Sequence, residues 1–341
     1  MARNEKPKIA IVGAGAVGSL AGGFMALGGE DVTLIGKGAH VRAIHEHGLH
    51  IDGVKGEHTV PIAAAEALMF KPDIVFLAVK TQDVAQACEA IREKAGDAPI
   101  VLMQNGVRSA GIAAGILDSN AIVRCIVLVN AKYLVPGSVS CALVGPFVIG
   151  SASKDDGGLL TKVQSLLNHT ARTEITPNIE GAQWTKLLVN ATGNAMDAMT
   201  DMPKNEYIRH AGLRKICVCI IKEALAIVER AGIRLESLPG FSVSSFASMR
   251  KLPLPVVSYL MKKRLGSDKN EKLVSSTLQS LKRGRKTEIE YLNGEFVALG
   301  QRIGLPAPYN AKVVEIVREI EKTHRFYSPD ALIAAFRQLS G

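Results

Sequence analysis

The stretch that most constrains this chain is its beginning, where Lys8-Ile9-Ala10-Ile11-Val12 runs into Gly13-Ala14-Gly15-Ala16-Val17-Gly18. Five mostly apolar residues rich in β-branched types predict a buried strand. The glycines then fall at G-x-G-x-x-G spacing, and Ser19 to Leu27 has helical composition. Each glycine has its own task in a dinucleotide site. Gly13 permits the tight turn, Gly15 lets the backbone approach a pyrophosphate, and Gly18 lets helix and strand pack closely. The helix beginning near Ala16 presents unpaired N–H groups and a positive dipole end to phosphate. Strand, turn and helix come in the required order, which an ordinary glycine-rich loop does not supply.

The chain has 341 residues, long enough for two domains with sizeable cores. Apolar residues make up 47% and charged residues 21%, the balance of a soluble globular protein. No stretch reads as a membrane span, and residues 1–7 are polar with no apolar signal region behind them, so the expected compartment is the cytoplasm. The cysteines at 88, 125, 141, 217 and 219 lack zinc or redox spacing and read as reduced, buried thiols. A net charge of +9 would suit nucleic acid, but aromatics are only 5% and no recognition motif is present, so no nucleic-acid partner is expected. The basic runs Lys262-Lys263-Arg264 and Lys282-Arg283-Gly284-Arg285-Lys286 fit solvated helix faces or a positive field for anionic ligands.

Asp31 to Ile35 predicts a second parallel strand. At its end an NAD site places an acid for the ribose 2′-hydroxyl. This chain has Gly36-Lys37-Gly38 there, with Arg42 a turn later. An ammonium attracts a 2′-phosphate that a carboxylate would repel, so NADP(H) is expected over NAD(H). His40, His45, His47, His50 and His58 spread over a short helix and a hairpin without a nearby cysteine, and no metal site is expected. Asp73 to Val79 is a near-continuous apolar run, the pattern of a strand covered on both faces. It ends in Lys80, and the next strand, Pro99 to Met103, leads to Asn105. Both residues fall at strand ends facing the crevice that the glycine turn opens. From Ala121 to Ala152, segments broken by Pro136-Gly137 and Gly145-Pro146 read as antiparallel strands completing the sheet. A helix over Leu159–Asn168 and a short strand near Arg172–Thr176 follow. Pro177 closes the domain.

From Glu180 onward the strands stop and helical patterns run through residues 180–199, 213–231, 242–249, 275–283, 288–303 and 308–323. The expected organisation is an α/β Rossmann domain over 1–177, then an all-α domain over 178–341, with an active site in the cleft between them. The order of a basic loop over 251–272 is not readable. In the first of the helices, Lys186, Asn190 and Asn194 recur every four residues, a stripe drifting only ~40° per step at ~100° per residue. Two readings fit. Either the stripe lines a polar pocket, with a desolvated lysine able to donate a proton near neutral pH, or the lysine reaches solvent beside two exposed amides. Thr287 reads as the N-cap of the helix that follows it, with Glu288 and Glu290 near its positive end.

Together these constellations resemble the ketopantoate reductases (2-dehydropantoate 2-reductases) over nearly the whole chain. The resemblance rests on Gly13–Gly18, Val79-Lys80-Thr81, Gln104-Asn105-Gly106, the Lys186/Asn190/Asn194 series, Ser275-Ser276, and Gly284 to Ile289 ending in Leu292-Asn293-Gly294. It implies a Rossmann domain plus a helical domain of the 6-phosphogluconate-dehydrogenase type, and reduction of ketopantoate to pantoate by NADPH. Gly13, Gly15, Ala16, Gly18, Lys37, Lys80 and Asn105 would hold the cofactor, Asn105 also bridging its nicotinamide end and the lysine. Lys186 would protonate the carbonyl oxygen, and Glu288 would bind the substrate hydroxyl and work with that lysine. Asn190, Asn194 and Ser276 would bind substrate. Many members carry Asp four residues after the serine equivalent to Ser276, where this chain has Ser280. That departure keeps a paralogue acting on another 2-oxo acid open, and a non-catalytic NADPH-binding regulator is the rival of a different class. A homodimer is compatible with the long apolar helical faces.

Overall fold

The strand that opens the chain is central to its sheet. A computed structural model describes residues 6–119, 121–151, 157–265 and 274–339. The chain divides into two compact units, Met1–Ile179 and Glu180–Gly341. In chain order the first contains β1 (Lys8–Val12), α1 (Ala16–Leu27), β2 (Asp31–Ile35), α2 (Gly38–His47), β3 (Leu49–Gly53), β4 (His58–Val60), β5 (Ala63–Ala65), β6 (Ile74–Leu77), α3 (Val84–Ala95), β7 (Ile100–Leu102) and α4 (Ser109–Ala114). It continues with β8 (Ile122–Val127), β9 (Asn130–Val135), β10 (Ser138–Leu143), β11 (Phe147–Ser151), α5 (Leu159–Asn168) and β12 (Thr173–Ile175).

An eight-stranded sheet runs β12-β11-β8-β7-β6-β1-β2-β5, with β1 paired parallel to β2 and to β6. Alternation along β1 builds its two cores. Ile9 and Ile11 join the cluster containing Leu20 and Met25 of α1, while Ala10 and Val12 join the one containing Val84, Cys88 and Ile91 of α3. Successive strand side chains point to opposite faces, so a strand covered on both sides must be apolar throughout. β6 meets that demand with four buried residues in a row.

The segments after residue 121 do not all complete this sheet as antiparallel strands. β8 joins β7 in parallel, β11 runs antiparallel to β8, and β12 runs parallel to β11. β10 leaves for a separate four-stranded sheet, β4-β3-β10-β9, where it lies antiparallel to β9 and parallel to β3. The Pro136-Gly137 turn specifies a local hairpin, but long-range burial decides which sheet the hairpin joins. Val139 and Ile51 are fully buried in the α1-side cluster, and His40 stitches the layer together: its Nε2 lies 3.0 Å from Ser19 Oγ, and its Nδ1 accepts from Gly137 N at 2.8 Å.

The second unit is helical: α6 (Ile179–Thr200), α7 (Lys204–Arg209), α8 (Ala211–Arg230), α9 (Val243–Lys251), α10 (Leu254–Leu265), α11 (Ser276–Lys282), α12 (Asn293–Ile303), α13 (Pro308–Thr323) and α14 (Pro329–Arg337). Its core joins Met196 and Met199 of α6 to Ile216 and Ile220 of α8, Val313 and Val317 of α13, and Leu332 and Phe336 of α14. The basic segment contains a helix, α10, because Val257 and Met261 lie one turn apart and both bury. The remainder of that segment, 266–272, lies outside the described residues. The helix expected over 288–303 is interrupted. A 3-10 turn covers Ile289–Tyr291, Leu292 leaves helical geometry, and α12 starts at Asn293.

The glycine turn yields a test of packing. Gly13 has φ +103°, and a Cβ there would lie 2.5 Å from Val79 N. A Cβ on Gly18 would lie 2.2 Å from Gly13 O, whereas one on Gly15 meets nothing within 4 Å. Gly18→Ala is expected to cost about 1–3 kcal/mol by overpacking, and Gly15→Ala to leave stability unchanged, as read by thermal denaturation of the unliganded proteins.

Candidate functional site

The glycine turn leaves the first end of α1 without a protein partner of its own making. Gly15 is the N-cap with no side-chain cap, and the first turn holds no acidic residue. Gly13 and Gly18 are glycines because the protein itself fills the space around them. Gly15 is not: its backbone is extended (φ −88°), which any residue adopts, and its Cβ position is open. A glycine that local packing does not require, beside uncapped helix N–H groups, fits a phosphate-bearing cofactor held against the backbone at Gly13, Gly15, Ala16 and Gly18.

Lys37 caps α2 at the end of β2 and is exposed. A third group crowds that end. A side chain built on Gly38 would meet the Glu66 carboxylate at 2.8 Å and the Arg42 guanidinium at 3.1 Å. Sequence reasoning missed Glu66 because it follows β5, which reaches this place by pairing with β2 through Thr33–Ala63 to Ile35–Ala65. Lys80 ends the strand region before a 3-10 turn at Thr81–Asp83, and the Thr81 hydroxyl donates to Asn105 O at 2.9 Å. Gln104 Nε2 donates to Leu77 O and Val79 O at 2.6 and 3.2 Å. The loops carrying Lys80 and Asn105 are thus bonded to each other at adjacent strand ends.

The histidine-rich segment is used structurally. Besides His40, the His45 and His58 rings bond to the carbonyls of Ala64 and Lys55. Among the described residues, no three His, Cys, Asp or Glu side chains group as metal ligands, and no helix is long and apolar enough to cross a membrane.

In the second unit α6 carries Lys186, Asn190 and Asn194 on one stripe. Residues 181–185, 187 and 188 around Lys186 are buried, as is Asn190, and Asn194 is half-buried. Burial of the Lys186 ammonium pushes its pKa down to about 8, because a low-dielectric setting disfavours the charged form. Lys186 itself is half-buried, and a desolvated ammonium is what the pocket-lining reading of the stripe expects.

Two polar clamps attach the remaining candidate residues to α6. Asn293, fully buried, donates through Nδ2 to Ala191 O and to Asn310 Oδ1, both at 2.9 Å. Asn310 passes the tie on through Nδ2 to Glu223 Oε1 at 2.8 Å. This network fixes the start of α12, and with it the 3-10 turn that follows Glu288. Thr287 is not the N-cap expected of it: that position falls to Glu288, without a side-chain cap bond, while the Thr287 hydroxyl accepts from Ile289 N at 3.3 Å and its own N and hydroxyl donate to Glu321 Oε1 at 2.7 Å. Glu290 is engaged in an ion pair with Arg318, which separates the two acids: Glu288 is half-buried on a turn tied to α6. The second clamp is Asp197, on α6 three residues beyond Asn194, whose carboxylate accepts from Ser275. Ser276, the next residue, is exposed at the first position of α11, and the Ser280 hydroxyl donates back to Ser276 O at 3.0 Å. Asp197 was legible as the continuation of the Lys186 stripe, but its partner was not.

A dinucleotide-type α/β unit followed by a helical unit with a desolvated lysine defines a class of oxidoreductase, and the comparisons narrow it. The family model described as ketopantoate reductase PanE/ApbA matches residues 9–154, and its C-terminal counterpart matches 178–321. The chain belongs to the ketopantoate reductase family of oxidoreductases. It is 29% identical over 316 residues to a 2-dehydropantoate 2-reductase of Pyrococcus horikoshii, covering 92% of this chain and 97% of that one. The crystal structure of a PanE/ApbA family ketopantoate reductase from Ralstonia eutropha superposes with TM-score 0.78 at 28% identity, over 93% of this chain and 99% of that chain. The fold is shared with a D-mandelate dehydrogenase solved with NADH and anilino(oxo)acetate, at TM-score 0.80 and 23% identity over 93% and 99% of the two chains.

The Asn293 clamp predicts its own cost. Asn293→Ala leaves Ala191 O and Asn310 Oδ1 without that donor in a dry interior, and is expected to destabilise the helical unit by about 1–3 kcal/mol. Chemical denaturation followed by circular dichroism measures it.

Proposed function

We propose that this enzyme reduces a 2-oxo acid, ketopantoate, to the 2-hydroxy acid pantoate with NADPH, a step of pantothenate formation. The observation that carries the reading is Lys186, a half-buried lysine with a desolvated ammonium on the amide-bearing stripe of α6 in a chain of this family. Bound dihydronicotinamide supplies the hydride that turns a ketone into an alcohol. Negative charge then develops on the former ketone oxygen, and the Lys186 ammonium stabilises it and gives up a proton from Nζ. Glu288 binds the substrate hydroxyl and supports the lysine, while Asn190, Asn194 and Ser276 hold the oxo acid. Gly13, Gly15, Ala16, Gly18, Lys80 and Asn105 hold the cofactor, with Lys37 and Arg42 toward a 2′-phosphate. Two cations against the one carboxylate of Glu66 favour the phosphorylated cofactor.

A second reading has a specific observation behind it. Ser280 departs from the Asp of the family pattern that the chain resembles, and a protein of this fold has been solved with anilino(oxo)acetate. A different 2-oxo acid, reduced by the same lysine, accommodates both. Absorbance assays of NADPH oxidation across a panel of oxo acids separate the two readings, and ketopantoate turned over no faster than the rest overturns the first.

Lys186→Met is expected to lower kcat by at least about 10²-fold. It should leave thermal stability equal or higher, since the folded state already disfavours the buried charge. Near-wild-type turnover removes Lys186 from the chemistry. Because the acid form donates the proton and its pKa is about 8, kcat/KM for reduction is expected to be flat below that pH and to fall above it. An ordinary lysine, at pKa ~10.4, would give a plateau extending some two pH units further.

Cofactor choice has opposing levers. Lys37→Ala is expected to lower the NADPH-over-NADH ratio of kcat/KM by about tenfold or more, the loss of one charge-assisted phosphate contact. Glu66→Gln is expected to raise it. An NADH preference in the wild type would contradict the assignment of Lys37. Gly15→Ala, silent in stability, is expected to weaken NADPH binding in a fluorescence titration.

A further inference from the structure

We infer that Asp197 is a positioning residue for the oxo-acid site: its carboxylate takes both donors of Ser275 and thereby fixes where Ser276 stands against the Lys186–Asn194 stripe. The inference rests on the reading of Ser276 as a substrate ligand. Ser275 N donates to Asp197 Oδ2 at 2.9 Å and Ser275 Oγ donates to Asp197 Oδ1 at 2.7 Å. The same hydroxyl accepts from Leu278 N at 3.1 Å, capping α11. Its rotor is therefore fixed from both sides, and the residue beside Ser276 has no freedom to turn.

The hold is expensive, and that is informative. Asp197 is only 5% exposed, and burying a carboxylate costs far more than burying an apolar side chain of that size. Burial lifts its pKa to about 6 even with the two Ser275 bonds favouring the charged form. Lys204 of α7 lies within its field and is itself held below the usual lysine range by burial. Tyr207 of α7 feels its charge as well. A packing role alone would be met by leucine or methionine. A carboxylate here does what those cannot, joining α11 to the same helix that carries Lys186, Asn190 and Asn194.

The Ser280 hydroxyl bonds back to Ser276 O at 3.0 Å, so Ser276 is held through its own carbonyl and through the two bonds of its neighbour Ser275 to Asp197.

Steady-state kinetics with ketopantoate on the full-length enzyme tests this, with hydrogen exchange as a readout that needs no substrate. Asp197→Ala is expected to raise the KM for ketopantoate about tenfold or more, with kcat within threefold and the KM for NADPH unchanged. It should also speed amide exchange across α11. Asp197→Asn keeps one acceptor for Ser275 and is expected to recover most of the KM. Ser275→Ala, which keeps only the backbone bond, should fall between them. A wild-type KM in Asp197→Ala or in Ser275→Ala, or unchanged exchange in α11, overturns the inference. Equal loss of kcat and kcat/KM that Asn does not rescue also overturns it, in favour of plain structural damage. Ser276→Ala run alongside separates the two levels: if it raises KM and Asp197→Ala does not, only the positioning role falls. If Ser276→Ala leaves KM unchanged, the substrate role of Ser276 falls and the inference with it.

Discussion

The second unit depends on one desolvated helix. α6 is buried along most of its length, yet it carries a lysine, two asparagines and an aspartate spaced so that they share a stripe. Each of these groups costs free energy to bury and returns it only through specific partners. The helices packed around α6 are therefore not interchangeable apolar cylinders. α12 arrives with Asn293, whose amide bonds to Ala191 O, and α11 arrives behind Ser275, which bonds to Asp197. Hydrophobic burial assembles the bundle without setting rotation or register. These directional contacts supply both, and they act one residue away from Asn190 and one residue away from Ser276.

The surrounding acids sort by the same reasoning. Asp197 is committed to Ser275, Glu223 to the start of α13, Glu290 to Arg318 and Glu321 to Thr287. Each satisfies backbone donors or a cation at a helix end, where an unpaired group would be costly. Glu288 stands two residues from one of these structural acids, Glu290, and differs from it in setting, on a short turn that the Asn293 network locks to α6. Its proposed role with Lys186 therefore needs no flexible loop to bring it into place.

Much of the first unit was legible in sequence because its signals are local. The glycine spacing, the apolar run at Asp73–Val79 and the β-branched run at Lys8–Val12 each reflect one element's immediate environment, and each sits where it was expected. What failed was pairing. Nothing within Ser138–Leu143 says that its neighbour is β3 rather than β11, since both choices bury the same alternating face. Glu66 was missed for the same reason: a carboxylate 29 residues from Lys37 reaches Gly38 only through the β2–β5 register. In the second unit the stripe Lys186/Asn190/Asn194 was visible by periodicity, while the break at Leu292 was not. A Thr-Glu-Ile-Glu start reads as a helix cap, and only the tertiary demands of Asn293 and Glu321 stop the first turn from continuing.

The acid role proposed for Lys186 shows why such a site would be built from burial rather than from an added acid. An exposed lysine holds its proton too tightly to release it near neutral pH, and a histidine would offer a weaker cation to a developing oxyanion. Sinking the lysine into an apolar helix brings its pKa to about 8 by desolvation alone. The ammonium then remains charged at neutral pH, so it can meet negative charge, yet lies close enough to its pKa to surrender the proton. Desolvation strengthens both effects together, because the low dielectric that weakens the proton's hold also magnifies the attraction for an oxyanion. The apolar residues flanking Lys186 on α6 are in that sense part of the chemistry proposed for it, and a polar substitution among them would be felt first in the pH at which the lysine gives up its proton.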